Sequence, residues 1–173
     1  MKDELKSITS WNQIFDIYSQ HSGIELFILI IKSHYKFFTL WTCFLSILYF
    51  FTKNSTLLEI ISIAWIIVLL GGFYITYIHP KYLKIKELNI KIEYPLLRQI
   101  DVLVHVLPTL FLWYFNYDNI IKLLNQNTIL KVNLLLIIYL SINNPFEIYD
   151  LDKNFLYIII YILVFLMSIN YFI

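Results

Sequence analysis

The chain has 173 residues, of which 60% are apolar and only 14% charged, against about 25% charged in a soluble globular domain. That length suits one domain and that composition the membrane class, while a formal net charge of +1 with dispersed lysines argues against nucleic acid as a partner. Cys43 is the only cysteine, which excludes an intrachain disulfide and a cysteine-rich zinc site.

The opening "MKDELKSITSWNQIF" does not read as a secretory signal, because Asp3 and Glu4 stand beside the lysines and no small-residue cleavage site follows. Residues 8–31 have apolar positions at helical spacing (Ile8, Trp11, Phe15, Tyr18), interrupted by Asp16, His21 and Glu25. They read as an interfacial amphipathic helix or, alternatively, as a polar first span. A bilayer core about 30 Å thick needs about 20 apolar residues per helix. Residues 37–52 fall short of that length, but Lys36 and Lys53 flank them and can snorkel to opposite interfaces. Cys43 within that run reads as packing. Residues 60–78 carry no charge and form a second span. Glu59 just before them is expected to face headgroups, and Gly71 and Gly72 to permit close helix packing. Residues 96–115 form a span that ends in the interfacial aromatic cluster "FLWYF". Residues 128–142 form another if Lys131 snorkels, and the uncharged 154–173 form the last.

The expected fold is therefore all-α: a polytopic transmembrane helix bundle of five spans, or six if residues 8–31 cross. It is a single membrane domain over 1–173, with an amphipathic or first-span segment at 1–34 and the bundle core at 35–173. No internal repeat stands out. The segment 79–95 holds Lys81, Lys84, Lys86 and Lys91, whereas the facing turns hold Lys53 and Lys122. By the positive-inside rule 79–95 is cytoplasmic, together with Lys32, Lys36 and the 143–153 loop.

One stretch, "RQIDVLVHVLPTLF" at 98–111, carries ionisable residues into a span. Asp101 and His105 are four apart and share a helix face. A carboxylate orienting one nitrogen of a neutral imidazole is how a general base is built; the alternative is a structural pair bonded to a neighbouring helix. Ionisable groups within a span point to function because they are costly there. Pro108 frees the carbonyl of Val104 and is expected to kink the helix just past His105. Thr39 lies three residues past Lys36 and His105 seven past Arg98, giving depths of roughly 5 and 10 Å from the same face. Thr39, Asp101 and His105 can therefore meet in the inner half of the bilayer, although a threonine in a membrane helix more often bonds its own i−4 carbonyl. His21, His34 and His79 are scattered and offer no metal-ligand spacing.

Three stretches, "KFFTLW" at 36–41, "IDVLVHVLP" at 100–108 and "NNPFEIYDLD" at 143–152, together resemble segments of the androgen-induced-gene and androgen-dependent-regulator family of multipass membrane proteins, in the same order. Members of that family hydrolyse fatty-acid esters of hydroxy fatty acids with an intramembrane threonine and histidine. The resemblance implies Thr39 as nucleophile and His105 as base. This chain has Asp101 where the hydrolases have asparagine, Val102 where they have a second histidine, a shorter interval from His105 to Pro108, and no aromatic residue before Pro145.

The expected activity is thus a membrane-embedded, threonine-type hydrolysis of lipid esters, with Asp101 orienting His105. Its partners would be the bilayer and an acyl-lipid substrate, and no metal or organic cofactor is required. The rival readings are a non-enzymatic membrane scaffold with a structural Asp101–His105 pair, and a proton-coupled carrier using the pair as a relay.

Overall fold

A computed structural model describes residues 5–78 and 83–143. The expected span at 154–173, His79, Lys81 and nearly all of the 143–152 stretch lie outside the described residues.

Residues 8–31 do not form one helix. Lys6–Ile8 is a strand (β1), Trp11–Ser19 a nine-residue helix (α1) and Gly23–His34 a twelve-residue helix (α2). The chain breaks at Gln20–Ser22, and Gly23 takes φ +53°, a left-handed conformation that favours glycine. At 1.5 Å per residue the two helices are about 14 and 18 Å long, too short to cross a bilayer core. The single unbroken helix expected over residues 8–31, interfacial or spanning, is therefore not what forms.

Apolar helices follow. Phe38–Thr52 (α3) is joined through Lys53, in the left-handed region, to Ser55–Phe73 (α4). The Asn54 side chain caps α4 by accepting from the Thr56 and Leu57 amides. The winding of α4 loosens into a π-helical stretch at Tyr74–Ile78. Tyr94–Asp101 (α5), a π-helical segment Val102–Val106 and Leu107–Leu123 (α6) run on as one rod, and Gln126–Ile142 (α7) is the last element among the described residues. Two of these units, Ser55–Tyr77 with 23 residues and Tyr94–Leu123 with 30, are long and apolar enough to cross a membrane. α3 and α7 are apolar but only 15 and 17 residues long. Of the five expected spans, two therefore reach crossing length, two are shorter helices, and one lies outside the described residues.

The bundle core is built on α4, whose Leu58, Ile61, Ala64, Trp65 and Val68 pack with Phe38, Ile120, Val132, Leu136 and Tyr139. Polar side chains inside it bond between helices: Trp65 Nε1 donates to Ser46 Oγ (2.9 Å), and Trp113 Nε1 to Ser62 O (3.1 Å). Large apolar side chains such as Phe51, Tyr114, Phe115 and Ile137 stand exposed on the outside. Glu59 does not face headgroups as expected. It is buried and accepts from Thr128, while its other oxygen pairs with Lys131 Nζ at 2.5 Å. Lys131 thus has a counter-ion within the bundle, because a buried carboxylate needs one.

The segment 79–95, expected as a loop, contributes strands at Leu83–Ile85 (β2) and Ile90–Ile92 (β3), linked by a single 3-10 turn, Lys86–Leu88, and by Asn89 at φ +52°. β3 pairs antiparallel with β2 and parallel with β1, giving the order β1-β3-β2. Two-residue alternation explains it. Ile85, Ile90 and Ile92 face inward, and Lys84 pairs opposite Lys91 on the other face. α1 lies over this sheet with Trp11, Ile14 and Ile17, and together they pack on Leu96, Leu97 and Ile100 at the start of α5. This second apolar cluster forms a cap on one end of the bundle.

Candidate active site

Asp101 closes α5 and is buried, and His105 follows within the π-helical segment. There the Leu107 amide bonds back to Val102 O, five residues away, so one extra residue is wound into the turn carrying His105. The irregularity expected just after His105 is thus a π-segment ahead of Pro108. Thr109 steadies it from α6, with its hydroxyl 2.7 Å from His105 O and 3.2 Å from Trp65 O.

His105 Nδ1 lies 2.6 Å from Asp101 Oδ1, and His105 Nε2 lies 3.0 Å from Thr39 Oγ1. An ionised carboxylate only accepts, so the Nδ1–H donates to Asp101 and leaves Nε2 free to accept from the Thr39 hydroxyl. The three residues singled out in the sequence therefore form one hydrogen-bonded chain. Thr39 does not take the alternative of bonding its own helix, as Thr42 does with Phe38 O at 3.1 Å.

Thr39 is the second residue of α3, so its placement depends on the turn before that helix. Two side chains tie that turn down. Trp41 Nε1 donates to Tyr35 O (2.8 Å), and the Tyr139 hydroxyl reaches from α7 to Lys36 O (2.5 Å). The Tyr139 ring also packs on Phe38 and Trp41, with centroids 5.0 and 5.6 Å away. Behind the imidazole stands Gly72 of α4. A Cβ placed there would overlap Asp101 Oδ1 and His105 Nδ1 and lie 3.1 Å from His105 Cε1. Glycine is what lets α4 close against the pair. Sequence reading noted Gly72 only as a packing residue and missed Trp41 and Tyr139 altogether. Neither aromatic carries a signal in a chain this rich in aromatics.

Thr39, Asp101 and His105 line a cavity of about 450 Å³ whose other walls are almost wholly apolar. Cys43, Ile67 and Val68 bound it on the bundle side, and α1 and the sheet roof it on the other. His34 at the end of α2 also faces it. Burial pulls the His34 imidazole below its ordinary value, against the opposing pull of the Ile30 carbonyl and Glu87. Among the described residues, no group of three His, Cys, Asp or Glu side chains is placed to hold a metal ion. The chain matches no family model, no curated protein and no solved structure.

Proposed function

We propose that this protein is a multipass membrane hydrolase of lipid esters that works through Thr39. The single observation carrying this reading is the Asp101–His105–Thr39 hydrogen-bonded chain opening into an apolar cavity. Its volume falls within the range of small-molecule pockets, about 300–1,000 Å³.

In the reaction, His105 Nε2 takes the Thr39 hydroxyl proton as Oγ1 attacks the ester carbonyl carbon. Asp101 holds the tautomer and stabilises the imidazolium. The carbonyl–alkoxide bond then breaks, and the alcohol leaves with the proton held on His105. Water, deprotonated by the same nitrogen, cleaves the acyl-threonine to release the acid and restore the hydroxyl. The resemblance to the androgen-induced-gene and androgen-dependent-regulator family supports the same roles and extends the substrate to fatty-acid esters of hydroxy fatty acids. Apolar outer faces on α3, α6 and α7 support a bilayer around the bundle, with the lysine-bearing sheet on the cytoplasmic side.

A fluorophosphonate probe tests the nucleophile. Covalent phosphonylation with loss of fluoride should map to Thr39, and Thr39→Ala should abolish both labelling and ester hydrolysis. A Thr39→Ala protein that hydrolyses ester at the wild-type rate overturns the mechanism. The second reading, a structural pair in a non-enzymatic scaffold, is favoured by the tight fit of Gly72 against Asp101 and His105. It predicts that His105→Ala fails to fold, whereas the hydrolase reading predicts a folded protein slowed by about 10²–10⁴-fold.

A further inference from the structure

The cavity does not stop at the three polar residues. From Thr39 and His105 it continues beneath α1 and the sheet, where Trp11, Ile14, Ile17 and Ile92 line it. On the bundle side its walls include Val68 and Leu136, which belong to the close-packed core. A bound hydrocarbon has room under the cap, and the exposed Leu70, Val104 and Leu140 in the lining mark where it would enter. The cap is held by polar contacts to the helices beside it: Trp11 Nε1 donates to Gln99 Oε1 (2.6 Å), Ser7 bonds Glu93, and Lys36 pairs with Glu87 (2.8 Å). These ties fasten its rim and leave the apolar undersides of α1 and the sheet facing the cavity.

We infer that this capped hollow is the chain-binding subsite: a hydrocarbon chain of the ester runs from Thr39 under α1, and Ile14 and Ile17 limit its length. The inference rests on the hydrolase reading for the word ester. The hollow itself rests on the cavity and the cap alone. Binding there is driven by apolar burial, which grows with each methylene removed from water, so a side chain that shortens the hollow discriminates against long chains in particular.

Two measurements on the full chain in nanodiscs test this. The first compares kcat/KM for p-nitrophenyl hexadecanoate and butanoate. Ile14→Trp and Ile17→Trp should lower the long-to-short ratio by about tenfold or more, as expected for a few methylenes excluded from an apolar pocket. An unchanged ratio in both variants overturns the inference. The second uses the unaltered protein and hexadecanoic acid with a diazirine at its chain end. After irradiation, adducts should map to residues 11–19 or 83–92. Adducts confined to the outward faces of α3 and α6, or none at all, also overturn it. Cap adducts in a protein that hydrolyses no ester would refute the hydrolase reading and leave the subsite standing.

Discussion

At Gly72 the absence of a side chain is what brings α4 against Asp101 and His105. Gly71, one residue earlier, has nothing within 4 Å of where a Cβ would stand. The two glycines therefore separate a site effect from a helix effect. Gly71→Ala should stabilise the protein by up to about 1 kcal/mol through helix propensity, read as a rise in Tm. Gly72→Ala should instead displace the pair and slow ester hydrolysis by at least about tenfold; equal rates in the two variants would contradict the role given to Gly72. Asp101 offers a second test. Asp101→Asn keeps an acceptor within reach of Nδ1, so substantial hydrolysis should survive, whereas Asp101→Leu removes the acceptor and should cost far more. Asp101 and His105 were legible in the sequence because charge inside an apolar run is conspicuous, whereas Thr39 was singled out by the resemblance, helix spacing giving only a compatible depth. Gly72, Trp41 and Tyr139 were not legible, since each acts through a contact between helices that periodicity does not encode.

The helices of the bundle follow from apolar runs bounded by Lys53, Asn54 and Asn125; 37–52 and 128–142 were readable to within two residues, whereas the rod runs eight residues past the expected end at 115. The cap was not. Its strands are three residues each, and "LKIKELNIKI" alternates over so short a distance that its lysines dominate the reading. The apolar stripe of this segment runs through Phe15 by helical spacing, yet Phe15 is 63% exposed and Ile14 and Ile17 face the sheet. Nine residues define a helical stripe poorly. The cap also has its own response to acid. Burial pushes the Glu87 carboxyl up, but the Lys36 ammonium outweighs it and holds the group below its ordinary value. Ser7 and Lys91 hold Glu93 below its ordinary value too. A depressed carboxylate contributes stability above its unfolded value and loses it as pH falls through the folded one. The cap should therefore loosen below about pH 4, seen as faster amide exchange in residues 6–19 and 83–92 while α4 stays protected. Uniform exchange across cap and bundle would refute this.

For the whole molecule, the positive-inside rule applied to the four lysines of the 79–95 segment predicts that the capped end of the bundle faces the cytoplasm. A cysteine at Lys84→Cys, on the outer face of the sheet, should resist impermeant maleimide in intact cells and react after permeabilisation. Reaction in intact cells would invert the topology. The long rod from Tyr94 to Leu123 sets a further condition on the molecule. Its first part aims Asp101 and His105 at Thr39, and its second part lays Thr109, Trp113 and Ile120 against α4 and its neighbours. Each residue of a regular helix turns about 100° from the last, so the extra residue wound into Val102–Val106 has to be absorbed if the two parts are to keep their phase. Five residues of a π-helical turn rotate about as far as four of a regular helix, so the segment takes up one residue while keeping its two flanks in register. Winding all five regularly would instead swing one part against the other by about a quarter turn. A stretch that looks interchangeable with any other run of valine and leucine is therefore where the rod hides a residue.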